Sequence, residues 1–125
     1  THLCFPGDYD ENRIAIEFSV VQQGGLDRLQ TVVDDRFGRT IYTQSNRYSC
    51  YNQRGNQQFN LQRPLGSAVG RWRFETINGT TKILHNGRLV AQFPCALNDG
   101  TNMLVFVGTF GRRMNALIDD IEVYQ

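Results

Sequence analysis

The stretch WRFETINGTTKILH, residues 72–85, decides the fold class that we predict. Its central pair, Asn78-Gly79, suits the two left-handed positions of a type I′ turn, which joins adjacent antiparallel strands. With that turn, Glu75 faces Lys82 across the two strands, so the same register also produces a salt bridge. The stretch therefore predicts a β-hairpin.

The rest of the chain also reads as short strands separated by turns. Residues 13–20 alternate apolar and polar side chains, which is the period-two pattern of a half-buried strand. A second Asn-Gly pair, Asn86-Gly87, predicts a further strand directly after the hairpin. We expect ten strands and no helix, with the strands at residues 13–20, 29–34, 40–44, 48–52, 57–61, 72–77, 80–85, 88–93, 103–109 and 116–124. Strands at this spacing predict an all-β fold, an antiparallel two-sheet β-sandwich.

Length and composition predict one globular domain spanning residues 1–125. Hydrophobic residues make up 40% of the chain, which is enough for a packed core, and the formal net charge is +1. A nearly neutral chain lacks the basic footprint of nucleic-acid-binding proteins, so we expect no nucleic-acid partner. The chain contains no run of about 18 apolar residues, so we expect no membrane insertion.

The chain has three widely spaced cysteines, Cys4, Cys50 and Cys95, whose pairing depends on whether the cellular compartment is oxidising or reducing. They include no C-x-x-C pair, which argues against a structural zinc site. In an oxidising compartment one pair forms an internal disulfide, and the third cysteine can link two chains into a homodimer; we expect Cys4, near a chain end, in that role. Three reduced cysteines in a cytosolic protein are the alternative. The glycosylation sequence Asn78-Gly79-Thr80 falls in a predicted surface turn and favours a secreted protein.

Three segments carry a resemblance to a known superfamily. They are Gly70-Arg71-Trp72, then KILHNGRLV at residues 82–90, and finally ALIDDIEVY at residues 116–124. Together they resemble the concanavalin A-like jelly rolls, which include laminin G-like domains, pentraxins, legume lectins and galectins. In that superfamily a Trp opens one strand, an Asn-Gly hairpin follows, and an I-D-D-I-x-V-Y strand closes the sheet. The resemblance covers about the last 55 residues and implies a jelly roll.

The resemblance implies a binding protein, and most directly a secreted galactose-binding lectin of invertebrate type. The order of the strands is similar to that of the galectins, but their sugar signature is absent: there is no H-x-N-x-R run, and Trp72 is followed by Arg-Phe-Glu. A sugar site must then be built from other residues. The alternative is a laminin G-like module that binds protein or sulphated glycans through its arginine patches, Arg71, Arg73, Arg112 and Arg113.

Residues 42–54 concentrate tyrosines, amides and arginines on two neighbouring predicted strands and their turns. A sugar site combines a flat apolar ring with amide and guanidinium groups, which hold hydroxyl groups in a two-point geometry. In galectin-like folds the corresponding strands form the binding face. The candidate sugar-binding residues are Tyr42, Gln44, Asn46, Arg47, Tyr51, Asn52 and Arg54. An ordinary exposed sheet is the competing interpretation, and the lone tryptophan, Trp72, is expected in the core.

Two acidic segments make Ca²⁺ a candidate cofactor. Residues 7–12 alternate oxygen-bearing side chains in a predicted loop, and Ca²⁺ takes about six to eight oxygen ligands. Asp119 shares a strand face with apolar residues, so we expect it to point inward, where a carboxylate needs a cation or hydrogen-bond donors. The candidate ligands are Asp8, Asp10, Asn12 and Asp119. A solvated loop, and an Asp119 satisfied by arginine or backbone N–H groups, are the alternatives.

Catalytic patterns are sparse. The chain has no G-x-S-x-G, no H-E-x-x-H and no glycine-rich phosphate loop. The E-x-D-x-(x)-E strand motif of sandwich glycosidases in this superfamily is also missing, and a sandwich glycosidase or lyase would need such a carboxylate pair. We therefore expect a lectin that binds terminal sugars of glycans, galactosides by preference, and not an enzyme.

Overall fold

The computed structural model describes residues 2–10, 13–34, 36–61, 65–108 and 115–125. Over these residues the chain forms eleven strands and no helix. The strands are β1 (His2–Tyr9), β2 (Arg13–Gln22), β3 (Arg28–Val33), β4 (Phe37–Tyr42), β5 (Arg47–Asn52), β6 (Gly55–Asn60), β7 (Gly70–Ile77), β8 (Thr80–His85), β9 (Arg88–Pro94), β10 (Gly100–Gly108) and β11 (Leu117–Tyr124). No helix long and apolar enough to span a membrane occurs in this part of the chain. All ten predicted strands are present, and β1 is an additional one.

The strands form two antiparallel sheets that share one core. Sheet A has the strand order β1-β10-β3-β4-β5-β6, and sheet B has the order β11-β2-β7-β8-β9. Phe18 and Phe74 of sheet B stack with ring centroids 5.9 Å apart, and both belong to the same buried cluster as Ile41 of sheet A. Trp72 is fully buried and donates its indole N–H to the Ala68 carbonyl at 2.8 Å. The predicted two-sheet sandwich and the core position of Trp72 are confirmed.

Both Asn-Gly pairs form the tight turns that the sequence predicts. Asn78 and Gly79 have φ values of 49° and 79°, which are the left-handed conformations of a type I′ turn. The predicted register is also present, with Glu75 opposite Lys82. The predicted salt bridge between them does not form, because Glu75 accepts a hydrogen bond from Arg73 Nε at 3.0 Å instead.

Strand β1 is not among the predicted strands, and its last three residues fall in the predicted loop of residues 7–12. It pairs antiparallel with β10, and Leu3 is opposite Val105. A register shift between Pro6 and Tyr9, with Gly7 at φ 146°, interrupts the regular alternation that would have revealed a strand. Asp8 therefore lies in a strand and not in the predicted acidic loop.

Strand β11 contains a bulge that turns Asp119 toward solvent. Asp120 and Ile121 together lie opposite a single residue of β2, and Asp120 adopts φ 51°. The apolar side chains that pack against the core are Ile118, Ile121 and Val123. Asp119 is exposed, and its Oδ1 accepts the backbone N–H of Asp120 at 2.8 Å. The prediction that Asp119 faces the core is wrong, because the extra residue of the bulge shifts the alternation.

A disulfide between Cys50 and Cys95 links the two sheets near one edge of the sandwich. Cys50 lies in β5 of sheet A, Cys95 follows β9 of sheet B, and their Cα atoms are 5.8 Å apart. Cys4, on β1, is exposed and free. The expectation of one internal disulfide with Cys4 left over is confirmed.

The core of the described residues holds one fully buried cation, Arg39. Its guanidinium donates to the hydroxyl oxygen of Thr31 in sheet A at 3.1 Å and to that of Thr76 in sheet B. Burial without an anionic partner lowers the pKa of Arg39 to about 9. Arg39 is thus a polar connection between the sheets that carries a desolvation cost.

Candidate functional site

The outward side chains of β3, β4, β5 and β6 form a mainly polar surface, which we call face A. Its central hydroxyl residues, Thr40 and Ser49, are buried beneath their neighbours. Leu29, Ile41 and Tyr48 of these strands point into the core, so their neighbours along each strand point outward. Strand pairing aligns these outward residues in three rows across the sheet. The rows are Arg28–Tyr42–Arg47–Asn60, Gln30–Thr40–Ser49–Gln58 and Val32–Gly38–Tyr51–Asn56.

Tyr42 and Arg47 are in contact at one end of face A. The guanidinium carbon of Arg47 lies 4.6 Å from the centroid of the Tyr42 ring, and both side chains are half-buried. This cation–π contact limits the conformations of the arginine. Among the described residues no hydrogen-bond acceptor reaches the buried Nε of Arg47. The pair therefore presents an aromatic ring and a guanidinium side by side.

Tyr51 lies over Gly38 in the third row. A Cβ atom on Gly38 would come within 3.2 Å of the Tyr51 hydroxyl oxygen and within 2.6 Å of the Thr31 carbonyl oxygen, so glycine is needed there. The Tyr51 hydroxyl accepts a hydrogen bond from Gln30 Nε2 at 3.0 Å. Burial raises the pKa of Tyr51, which keeps the hydroxyl neutral at physiological pH. Tyr51 is thereby held in position on the face.

Strand β6 adds three outward amides that the sequence prediction missed. Asn56, Gln58 and Asn60 are all exposed and lie opposite outward residues of β5. Gln58 and Asn60 are two residues apart in the predicted strand of residues 57–61, which is a signal that could have found them. The prediction ended at Arg54 because it required tyrosines and arginines beside the amides, and residues 55–60 contain neither Tyr nor Arg.

Three of the seven predicted sugar-binding residues lie on face A, namely Tyr42, Arg47 and Tyr51. Gln44 and Asn46 lie in the turn between β4 and β5, at the end of the face where Tyr42 and Arg47 are found. The side-chain nitrogen of Gln44 donates to a backbone carbonyl at 3.0 Å. This end of face A therefore gathers four of the predicted residues, with Tyr51 farther along β5.

Asn52 and Arg54 lie at the opposite end of β5. The Nδ2 of Asn52 donates to the Ala96 carbonyl at 2.5 Å, and its Oδ1 accepts the backbone N–H of Arg54 at 2.8 Å. The amide of Asn52 is therefore used within the fold. A strand rise of about 3.3 Å per residue puts Arg47 roughly 17 Å from Asn52. The structure does not bring these two ends together at one site.

The predicted calcium ligands do not converge. Asn12 lies outside the described residues, and Asp10 follows β1. The backbone carbonyl of Asp8 accepts a hydrogen bond from Gln125 Nε2 at 3.1 Å, whereas Asp119 precedes Gln125 by six residues, or roughly 20 Å of strand. Over the part of the chain that the structure describes, no three His, Cys, Asp or Glu residues are grouped so that they could hold a metal ion.

The outward side chains of β2, β7 and β11 form a second surface, which we call face B. It carries a network of charges. Arg73 donates to Glu17 and to Glu75, each at 3.0 Å. Arg71 lies 3.4 Å from Glu17 and 3.8 Å from Glu122. Each of these arginines is therefore neutralised within the fold.

This network bears on the arginine patch predicted for sulphated glycans. Burial raises the pKa of Glu17, but hydrogen bonds and attraction from Arg73 and Arg71 outweigh that effect and lower it overall. Glu17 therefore stays ionised at physiological pH and pairs with both arginines. The other two members of the predicted patch, Arg112 and Arg113, lie outside the described residues.

A cavity of about 650 Å³ lies beside face A, where the edge strands β6 and β9 of the two sheets part. Its lining residues are Tyr48, Asn60, Leu61, Leu65, His85, Arg88, Leu89, Val90, Ala91 and Gln92. Tyr48 anchors an aromatic cluster, with ring centroids 5.2 Å from Phe59 and 4.3 Å from Phe93. Asn60 belongs both to face A and to the cavity.

No protein-family model and no curated protein sequence matches the chain. Solved structures match it in fold. A tetrameric galectin from the ball sponge Cinachyrella sp. superimposes with a TM-score of 0.69 at 10% identity, over 100% of both chains. Sheep galectin-11 in complex with glycerol has a TM-score of 0.65 at 10% identity, over 98% of this chain and 96% of the other. The Caenorhabditis elegans galectin LEC-6 has a TM-score of 0.61 at 12% identity, over 100% and 91%.

The fold is that of the galectins. This confirms the predicted jelly-roll fold with two antiparallel sheets. At an identity of 10% to 12%, these superpositions show a shared galectin fold and do not show a shared binding site. Because the galectin sugar signature is absent, the function of face A has to be argued from the side chains of this chain.

Proposed function

We propose that the chain is a lectin that binds glycans through face A, with terminal galactose as its preferred sugar. One observation carries the proposal: Tyr42 and Arg47 are in contact, and the exposed amides of Asn60 and Gln58 lie in the same row and in the next one. The tyrosine ring offers an apolar surface for the C–H face of a sugar. The guanidinium and the amides can hold neighbouring hydroxyl groups in a two-point geometry.

The chemistry of face A supports binding over catalysis. None of its twelve residues is Asp or Glu. Hydrolysis of a glycosidic bond normally uses two carboxyl groups, one on each side of the scissile bond. Face A offers hydrogen-bond donors and acceptors and no acid–base pair, so we propose a binding protein.

A glycan array, run with and without EDTA, tests the sugar specificity. We expect signal on glycans with terminal galactose, and we expect free galactose to compete for it. Absence of sugar binding in both conditions would contradict the lectin proposal. Equally strong binding to glycans that lack galactose would contradict only the galactose preference.

The same array tests calcium. We propose that the chain binds Ca²⁺ near Asp8 and Asp10 of its N-terminal segment, and that the ion supports glycan binding by stabilising the sheet that carries face A. Loss of the signal in EDTA, and its return on adding Ca²⁺, is the expected result. Binding that survives EDTA would remove calcium from the mechanism and leave face A as the sugar site.

We propose that the protein is secreted. The Cys50–Cys95 disulfide is typical of an oxidising compartment. Asn78 of the glycosylation sequence is exposed at the tip of the β7–β8 turn, where an N-linked glycan has room. Expression through a secretory pathway should give a chain whose mass falls on enzymatic removal of N-glycans. A matched Asn78→Gln variant should show no such change.

We also propose a disulfide-linked homodimer. Cys4 is exposed on the edge strand β1, so it can reach the same residue of a second copy. Two copies of face A in one particle would raise the apparent affinity for multivalent glycans. A non-reducing gel should show a dimer that disappears in Cys4→Ser, and a monomer in the unaltered chain would contradict the covalent link.

A further inference from the structure

The formal net charge of +1 conceals a strong separation of charge along the chain. Residues 36–98 contain nine of the thirteen Lys and Arg residues and a single acidic residue, Glu75. The segments 1–35 and 99–125 contain the other four Lys and Arg residues and eleven of the twelve Asp and Glu residues. The formal charge is therefore +8 in the middle of the chain and −7 in the two outer segments.

The topology converts this separation into two halves of the sandwich. The middle segment supplies β4-β5-β6 at one side of sheet A and β7-β8-β9 at one side of sheet B. The outer segments supply β1, β10 and β3 in sheet A and β11 and β2 in sheet B. The cavity is lined by residues of both β6 and β9, so the two basic sides lie over each other. The molecule therefore has a basic half and an acidic half.

Only some cations of the basic half are available to a ligand. Arg71 and Arg73 are paired with Glu17 where the halves meet, Arg36 is paired with Asp34, and Arg39 is buried in the core. The described cations of this half that form no ion pair are Arg47, Arg54, Lys82 and Arg88. Arg47 is on face A, and Arg88 lines the cavity.

The cavity has the composition of a site for a polar ligand with an anionic group. Arg88 is exposed at its rim, next to the exposed amides of Asn60 and Gln92. His85 is held in place because its ring stacks on Trp72 at 4.3 Å and its Nε2 is 2.8 Å from the Val69 carbonyl oxygen. The described lining residues include no carboxylate that could compete for Arg88.

Face A and the cavity are continuous through Asn60. Asn60 is opposite Arg47 in the β5–β6 register, and it also lines the cavity. A ligand longer than one sugar that contacts Tyr42 and Arg47 can extend across the edge strand β6. Its next unit then reaches the cavity and Arg88.

We propose that the ligand is an acidic oligosaccharide, with a neutral sugar on face A and a sulphate or carboxylate group bound at Arg88 in the cavity. The inference rests on the proposed lectin function of face A. A guanidinium binds such oxyanions through two charge-assisted hydrogen bonds, which fixes their orientation. The positive potential of the basic half attracts the anionic ligand, and added salt weakens that attraction.

The test compares three ligands that share one neutral core: lactose, lactose sulphated on its galactose, and sialylated lactose. Calorimetric titration of the full chain should show both acidic ligands binding about tenfold or more tightly than lactose. High salt should reduce this advantage. Arg88→Gln should abolish it without changing the affinity for lactose. Arg13→Gln, which removes an exposed arginine from the acidic half, is the matched control and should retain it.

The outcomes separate this inference from the proposed function. Equal affinity for the three ligands overturns the acidic-ligand inference and leaves the lectin function in place. An advantage that persists in Arg88→Gln overturns the assignment to the cavity. Failure to bind any of the three overturns both. A preference for only one of the two acidic ligands supports the inference and identifies the group as sulphate or carboxylate.

Discussion

Face A and face B are the outward surfaces of the two sheets, and both are rich in polar side chains. On face B the charged groups are bonded to one another: Arg71 and Arg73 surround Glu17. On face A no carboxylate is present, and Arg47 contacts a tyrosine ring instead of an anion. A polar side chain already bonded to a neighbour contributes to stability, whereas one with remaining donors or acceptors can bind a ligand.

The two faces therefore differ in what a substitution should change. On face B we expect changes in stability and in its pH dependence, with glycan binding retained. On face A we expect changes in glycan binding with small changes in stability. The substitutions of Arg47, Glu17 and Tyr51 below each test one side of that difference, and the disulfide substitution compares the stability of the strands under the two faces.

The largest effect should come from the disulfide, which links β5 of face A to the chain after β9. The double substitution Cys50→Ser and Cys95→Ser should lower the free energy of unfolding by about 2–4 kcal/mol, because the unfolded chain gains conformational entropy. Denaturant unfolding measures this loss. Cys4→Ser is the matched control and should leave stability unchanged. Hydrogen exchange should show a larger loss of amide protection in β5 and β6 than in β2 and β7. Equal losses would show that the disulfide does not stabilise the strands of face A in particular.

Substitution of Arg47 should have the next largest effect, and it should act on binding. Arg47→Ala should weaken galactoside binding by about tenfold or more, since a hydrogen bond to a charged group contributes about 1.5–3 kcal/mol. Calorimetry with lactose measures the change. Arg73→Ala removes an arginine from face B and should leave the affinity unaltered. If both variants lose affinity equally, the distinction between the faces is wrong.

Glu17→Gln should lower stability by up to about 1 kcal/mol at neutral pH, because it disrupts the network of face B. The folded-state pKa of Glu17 lies below its ordinary value of 4.5, so this stabilisation is fully present above that pH. It is lost as pH falls through the lower folded-state pKa. The midpoint temperature of thermal unfolding should therefore fall less steeply between neutral and acidic pH in Glu17→Gln than in the unaltered chain. Parallel curves would show that the network contributes little.

The smallest effect should come from Tyr51→Phe on face A. The substitution removes the acceptor of the Gln30 hydrogen bond, which should cost about 0.5–1 kcal/mol of stability. Glycan binding should change less than in Arg47→Ala, because the Tyr51 hydroxyl is already bonded within the face. A larger loss of affinity than in Arg47→Ala would move the centre of the sugar site toward Tyr51.

Much of the fold could be predicted because its signals are local. The Asn78-Gly79 turn and the alternation in β2 involve residues that are close in sequence. The failures have non-local causes. Strand β1 is stabilised by pairing with β10, about a hundred residues away, despite Pro6 and Gly7. The Asp119 orientation failed because a bulge at Asp120 becomes visible only in the pairing with β2.

The candidate site was predicted in part for the same reason. Tyr42, Arg47 and Tyr51 lie on neighbouring strands joined by a short turn, so their common face followed from the strand pattern. Asn52 was predicted for the same reason, because it is an amide among tyrosines and arginines. In the fold, however, its side-chain nitrogen donates to the Ala96 carbonyl. The residue types indicated polar chemistry, and the partners of each residue decided whether that chemistry remained available.

The sequence by itself determined the fold class, the hairpin turns and the unequal distribution of charge along the chain, because each depends on residue type and local spacing. The tertiary structure decided which charges are paired. It brought Arg71 and Arg73 to Glu17, more than fifty residues earlier, and left Arg47 and Arg88 without a carboxylate partner. It also placed all the strands of the basic segment in one half of the sandwich. Coulomb and hydrogen-bond energies depend on separation in space, and only the packing of the two sheets sets those distances.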